Sequence, residues 1–292
     1  MVATPRRRRS AALPATSSYD RAARASAAVV IREYSTSFGW ATRMLHEPVR
    51  THVRSIYALV RVADELVDDE AQRWDRSLRA RLLDDLEEET YLAIEQGGSA
   101  NLVVHAFALT AAQHGIGRDL VDPFFDSMRV DLSVQVHDPE SLSGYVYGSA
   151  EVVGLMCLRV FVGGDEATYL RLAPGARRLG AAFQKVNFLR DLHADHSLLG
   201  RAYFPGVDLS TFTDRERDLL LDDIDADLSA AATSIPHLPS SSRRAVHAAH
   251  ALFAALSARL RQTPAEQICR ERVRVPDLQK ARILARSAMV GR

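Results

Sequence analysis

The chain has 292 residues, 47% hydrophobic and 25% charged, which is ordinary globular composition. Lysine plus arginine equal aspartate plus glutamate at 37 each, so the overall charge gives no reason to expect nucleic acid as a partner. The two cysteines, Cys157 and Cys269, form neither a metal-ligand spacing nor a disulfide framework, and a reduced, cytoplasmic setting is expected.

The N-terminus carries PRRRRSAALPATSS, with no apolar run behind the arginines to make a signal peptide. Residues 1–17 read as a disordered, solvated basic tail, with weak attraction to anionic lipid as the lesser reading. Beyond it, Ala, Leu, Arg and Glu dominate at helical spacing. Helices are predicted near 20–45, 49–70, 74–95, 99–113, 118–133, 141–162, 166–196, 212–233, 241–263 and 276–289. EQGGSA, HGIG, HDPES, GGD and PHLPSSS mark breaks between them. No break is long enough for a domain linker, and no stretch reaches the ~18 apolar residues of a membrane-crossing helix. One all-α domain is expected over residues 18–292.

Two helices carry acids where apolar residues belong. In THVRSIYALVRVADELVDD, residues 51–69, Val53, Ile56, Tyr57, Val60 and Val67 share one face. With Tyr57 at zero, Asp64 and Asp68 fall about 20° to either side, with Arg61 beside them and Glu65 turned outward. Like charges at i, i+4 disfavour a helix by a few tenths of a kcal/mol, and their burial costs more. A bound cation would remove both costs; Mg²⁺ suits, since it takes hard oxygen ligands and keeps waters. The same D-x-x-x-D spacing recurs at Asp122/Asp126, Asp214/Asp218, Asp218/Asp222 and Asp223/Asp227, in contexts that read as solvated surface.

A second stripe strengthens the first. In GAAFQKVNFLRDLHADH, residues 180–196, Gln184, Asn187, Asp191 and Asp195 lie within about 80° of one another. Two such helices facing across a bundle would place four carboxylates at one cavity; two unrelated buried polar networks would give the same pattern. Arg201 and Tyr203 in LLGRAYFP read either as a phosphate clamp at the mouth or as a surface loop. Arg190 reads as a diphosphate partner or an ordinary salt bridge. In VVGLMCLRVF, Met156 and Cys157 read as core packing.

Four segments together, YSTSFGWATRML (34–45), SIYALVRVADELVDD (55–69), YVYGSAEVVGLM (145–156) and GAAFQKVNFLRDLHADHSLLGRAYFP (180–205), resemble the squalene/phytoene synthase family, and bacterial phytoene synthases most. The resemblance spans most of residues 30–290. It implies an all-α isoprenoid synthase bundle with a central cavity. It also implies Mg²⁺, with Mn²⁺ as a substitute, held by Asp64 and Asp68 on one side and by Asp191, Asp195 and Asn187 on the other. Arg61, Arg190, Arg201, Tyr203 and Lys280 would contact diphosphate. Tyr57, Tyr145, Gln184 and Asn187 would line the chamber, with Ser37 and Phe38 also on substrate. The chain departs from the family at Thr36, where Lys is common, at Glu151 in a tight helix, and at Lys185 and Val186. Glu151 is expected to meet Arg159 or to point outward.

The chemistry so implied joins two geranylgeranyl diphosphates through prephytoene diphosphate to phytoene, without NADPH. Farnesyl diphosphate, giving presqualene diphosphate or dehydrosqualene, is the nearest alternative. A non-catalytic helical scaffold on the same fold is the other. Small Gly39 and Thr42 beside Phe38 and Trp40 suggest room for the longer chain. Peripheral membrane contact is expected from the greasy product and the basic tail.

Overall fold

The computed structural model describes residues 17–34, 37–68, 73–134, 136–199 and 201–289, excepting the side chains of residues 37, 38 and 194–199. The basic tail and Thr36 lie outside the described residues. Thirteen α-helices are present among them: α1 (Ser18–Tyr34), α2 (Ser37–Thr42), α3 (Val49–Asp68), α4 (Arg76–Gln96), α5 (Leu102–His114), α6 (Arg118–Asp131), α7 (Pro139–Val146), α8 (Val152–Val162), α9 (Glu166–Leu199), α10 (Asp214–Ala232), α11 (Ser240–Gln262), α12 (Ala265–Ile268) and α13 (Asp277–Met289). The one β feature among the described residues is an isolated bridge between Val136 and Ala202.

The predicted breaks are true helix ends, and their chemistry is visible. Asp75 caps α4 by accepting from the Leu78 amide, and Gly97 closes it at φ 80°. Asn101 caps α5, which ends at Gly115 in the same left-handed conformation. Capping boxes open α7 (Asp138 with Ser141) and α10 (Thr213 with Glu216).

Two predicted helices are divided. The span expected near 20–45 holds two separate helices, α1 and α2. The span near 141–162 holds a π-helical turn at Tyr147–Glu151 between α7 and α8. There the backbone of Gly148 presses on α6: a Cβ at this position would lie 2.2 Å from the Pro123 carbonyl oxygen. The inserted residue of a π turn re-aims the side chains around it. Pro139–Val162 has the length and hydropathy of a membrane span, yet it supplies Tyr145, Val152, Met156 and Leu158 to the buried core.

The buried core has two large apolar clusters. Ile56, Leu59, Phe107, Phe124, Phe125 and Met156 unite α3, α5, α6 and α8. Val186, Leu189, Leu221, Ile224 and Leu260 unite α9, α10 and α11. Between the clusters runs a cavity of about 520 Å³, walled by α2, α3, α8, α9 and α11.

Two surface readings change. Asp227 is buried, 2% exposed, because Lys185 (2.8 Å) and Arg178 (2.6 Å) from α9 reach it across the α9–α10 seam. The unusual Lys185 thereby finds its place, also contacting Asp223 at 2.5 Å. Glu151 does not meet Arg159; it binds Arg177 at 2.6 Å, while Arg159 pairs with Glu166. Asp122, Asp126, Asp214, Asp218, Asp222 and Asp223 are well exposed, as predicted for that spacing.

Candidate active site

One side of α3 faces the cavity through Val53, Tyr57, Val60, Arg61 and Asp64; α9 faces it through Gly180, Phe183, Gln184, Asn187 and Arg190. Of the two stripes expected from helical periodicity, Asp64 on α3 and Gln184 and Asn187 on α9 line this shared space, while Asp68 and Asp191 do not. Deeper in, Phe161, Leu172, Ile235, Leu238 and Val246 make the wall apolar. Ala41, Thr42 and Leu45 from α2 and its following turn close one side. Cys157 also lines the cavity, and burial pushes its thiol up to about 12, so it stays a protonated wall atom.

The rim is a set of acid–arginine pairs. Arg61 binds both Asp64 and Glu65 along α3 and lies 4.8 Å over the Tyr34 ring. Arg190 Nε donates to Asp191 Oδ1 at 2.9 Å. Arg272, from the segment before α13, meets the same oxygen at 2.8 Å and lines the cavity. Burial, then the charge of Asp68, pushes the Asp64 carboxyl up to about 7 despite Arg61. A third of that side chain is reachable, through the cavity it faces.

Behind the rim sits a buried knot. Arg201 is 7% exposed and does not open onto the cavity as a clamp. Its Nη1 binds Asp68 Oδ1 at 2.6 Å and approaches Asp131 Oδ1 at 3.6 Å. Its Nη2 donates to the carbonyls of Val67 and Asp131, and this fourfold demand is what draws it inward. Asp131, 3% exposed, also accepts from Tyr145 Oη at 2.8 Å and from Tyr203 Oη at 3.4 Å. Burial pushes its carboxyl up to about 6, against the pull of Arg201 and the Tyr145 hydrogen bond. Tyr203 stacks on Phe188 with centroids 4.0 Å apart and on Tyr145 at 5.4 Å. Of this knot, Tyr145 alone reaches the cavity wall.

The predicted residues thus divide. Tyr57, Arg61, Asp64, Tyr145, Gln184, Asn187 and Arg190 share the cavity. Asp191 stands next to it, held by Arg190 and Arg272. Asp68, Arg201 and Tyr203 form the knot behind. Lys280 is not on the cavity wall and pairs with Asp277 at 3.0 Å. The side chains of Ser37, Phe38 and Asp195 lie outside the described residues. Sequence reasoning missed Asp131 and Arg272. Asp131 is the last of four aspartates on α6 and has no acidic residue three or four positions before it, and Arg272 lies between Arg270 and Arg274 in a short irregular run that marks none of the three out.

The donor set suits a hard divalent cation. Asn187 Oδ1 is buried on the cavity wall with no hydrogen-bond partner, and Asp64 carries charge that burial opposes. Among the described residues, no three His, Cys, Asp or Glu side chains converge on one point. Magnesium needs no such cage: one or two carboxylates plus substrate phosphate and water complete its shell.

An all-helical bundle around an apolar chamber, rimmed by acids and arginines, has the isoprenoid synthase fold. The squalene/phytoene synthase model matches residues 31–279, and the chain belongs to that family. Its members are head-to-head prenyltransferases working on prenyl diphosphates. A phytoene synthase of Rhodobacter capsulatus is 27% identical over 278 residues, covering 89% of this chain and 79% of that one. A bifunctional lycopene cyclase/phytoene synthase of Blakeslea trispora is 28% identical over 265 residues, 80% of this chain; the chain spans only 44% of that longer protein. A 4,4'-diapophytoene synthase of Staphylococcus haemolyticus is 28% identical over 206 residues, 66% of this chain and 67% of its own. Among solved structures, a dehydrosqualene synthase superposes with a TM-score of 0.77 at 20% identity, over 92% of this chain and 96% of that one. A squalene synthase from Alicyclobacillus acidocaldarius gives 0.71 at 23% identity, over 83% and 94%. At those identities the structural likeness concerns the fold.

Proposed function

We propose that this protein is a magnesium-dependent phytoene synthase, joining two geranylgeranyl diphosphates head to head through prephytoene diphosphate. The observation that carries the reading is the cavity's layout, with a charged rim at one end of α9 and an apolar wall along the rest. From Asn187 to Leu172 the helix rises about 22 Å, the order of the reach of an extended four-isoprene chain, roughly 20 Å. Phytoene synthases among the relatives of similar length support the same choice.

In this reading Asp64, Asp191 and Asp195, with Asn187, would hold the metal, and Asp68 would join them on exchanging Arg201 for the ion. Bound there, magnesium would neutralise the diphosphate as its bond to carbon breaks. Arg61, Arg190 and Arg272 would meet the remaining phosphate charge on leaving their carboxylate partners. The allylic cation left behind meets Tyr57, Tyr145 and Phe183, whose ring faces stabilise positive charge without adding to it. The apolar wall keeps water from the cation, so the second substrate's double bond is the available nucleophile. An ending by proton loss calls for no NADPH. We place the reaction in the cytoplasm, with membrane contact at product release.

The second reading, condensation of farnesyl diphosphate, is favoured by the diapophytoene and dehydrosqualene synthases among the relatives and structural neighbours. Incubating the protein with equal geranylgeranyl and farnesyl diphosphate, then measuring hydrocarbon chain length, separates the two. Predominant forty-carbon product supports the proposal; predominant thirty-carbon product replaces it with the second reading.

A further inference from the structure

Residues 34–63 hold one acid, Glu47, and residues 228–265 hold none, in a chain whose acids and bases balance at 37 each. The fold joins these two runs at one corner. The His46 amide donates to the Ser241 carbonyl at 3.1 Å, and Arg244 Nη2 lies 3.5 Å from His46 Nε2. Arg43 is exposed, one turn after Trp40, which is 45% exposed. Arg50 and Arg54 follow one turn apart on α3. Burial, then neighbouring Arg50, pulls the Arg54 guanidinium below its usual range, with Glu47 opposing and Arg43 adding to the effect. Glu47 is already held by Arg50 at 2.8 Å and by Thr51 Oγ1 at 2.7 Å. Among the described residues, Arg43, Arg54 and Arg244 have no carboxylate partner. Both α3 and α11 begin here, at Val49 and Ser240, so the positive ends of two helix dipoles add to the arginines.

The same segments wall the chamber. Leu45 and Val53, interleaved with these arginines, line it, as do Ala245 and Val246 directly after Arg244. From Val53 to Asp64 the helix rises about 17 Å, so the basic corner lies at the apolar end of the chamber and the acid–arginine rim at the other. Resting on the reading above for what the chamber holds, we propose that the α2–α3 corner and the start of α11 form a docking face for the phosphates of an anionic lipid bilayer. The face sets the apolar end of the chamber against the membrane that takes up the hydrocarbon. The acids of the rim then face away from the lipid charge, toward the water from which magnesium comes. Each arginine near such a surface strengthens binding roughly fivefold, and salt weakens the effect. The exposed indole beside Arg43 favours lipid over free phosphate, because tryptophan seats at the level of the headgroups.

The test uses the full-length protein without substrate, so its failure and that of the functional reading are distinguishable. The chain's two tryptophans, Trp40 before α3 and Trp74 beyond its other end, serve as reporters. Vesicles of equimolar phosphatidylglycerol and phosphatidylcholine with brominated chains are expected to quench Trp40 in Trp74→Phe and to leave Trp74 unquenched in Trp40→Phe. Combining Arg43→Gln, Arg54→Gln and Arg244→Gln is expected to weaken vesicle binding by roughly tenfold or more, with helical circular dichroism unchanged. Should that variant lose its helical signal, the two single-tryptophan proteins decide alone. Replacing Arg6, Arg7, Arg8 and Arg9 by Gln instead is expected to keep the Trp40 quenching. Four results each overturn the inference: quenching of Trp74 rather than Trp40, equal binding to phosphatidylcholine alone, binding lost only in the tail variant, or release of the vesicles by inorganic pyrophosphate at equal phosphate concentration.

Discussion

Replacing Arg201 by Met tests the buried knot through stability alone. The substitution keeps the side chain's bulk and removes the cation that, among the described residues, faces both Asp131 and Asp68. Asp131 is 3% exposed, so water cannot take the arginine's place. Breaking a buried pair by removing one partner costs about 3–5 kcal/mol. In a chain of this size each kcal/mol lowers Tm by roughly 2–4 °C, so a fall of about 6–20 °C is expected at pH 8. The loss should depend on pH with a definite sign. The folded Asp131 carboxyl already stands near 6, above its unfolded value near 3.8, so the folded state binds more protons across that window and stability falls as pH rises through it. Without Arg201 the folded value climbs further, and the decline continues past pH 6. The gap between wild type and variant should therefore widen between pH 6 and pH 8, at up to about 1.4 kcal/mol per pH unit. Thermal melts followed by circular dichroism at pH 5.5, 7 and 8.5 measure it. A gap that stays constant, or shrinks with rising pH, would refute the assignment of Arg201 as the counter-ion of a buried acid.

Thr42 is 3% exposed on the cavity wall, so Thr42→Phe should shorten the chamber and shift product from forty toward thirty carbons when both substrates are offered. Asp227→Ala leaves Lys185, itself only 18% exposed, with exposed Asp223 as its remaining carboxylate at the α9–α10 seam; a loss of about 1–3 kcal/mol in urea unfolding is expected, and Asp227→Asn should cost less. Asp64→Ala and Asp191→Ala should each abolish turnover while leaving the helical circular-dichroism signal intact, and unaltered turnover in both would defeat the metal assignment. Burial, with His114 nearby, pushes His52 down to about 4 from an ordinary 6.5, so its contribution is fully present above pH 6.5 and lost as pH falls to 4. On the order of 3 kcal/mol is at stake over that window, and His52→Gln should flatten the acid limb of the stability profile.

What could be read from the sequence was what repeats along one helix. Asp64 is visible because its angle from Tyr57 is fixed by helical geometry, and Gln184 and Asn187 follow from the same rule on α9. Helix ends were legible where caps are local, as at Asp138 and Thr213. Contacts between distant elements were not. Asp131 matters because α6, α7 and the 201–203 segment meet at it, and no pattern within α6 announces that meeting. The segment of Arg201 reads as a clamp at the mouth or as a surface loop, whereas Asp68 and two carbonyls draw the side chain inside. Asp227 shares its spacing with exposed aspartates, and Lys185 and Arg178, 42 and 49 residues earlier, distinguish it. The π turn likewise depends on the approach of Gly148 to Pro123, which is a fact of packing between helices.

The central claim is that acids on α3 and α9 hold a divalent ion which draws diphosphate from a prenyl chain above an apolar chamber. Its most direct test is incubation of the full-length protein with geranylgeranyl diphosphate, in magnesium or in EDTA, with extraction and analysis of the hydrocarbon. The account predicts phytoene and released diphosphate in magnesium, and neither in EDTA. Hydrocarbon formed equally in EDTA, or diphosphate retained on the substrate in magnesium, would contradict it.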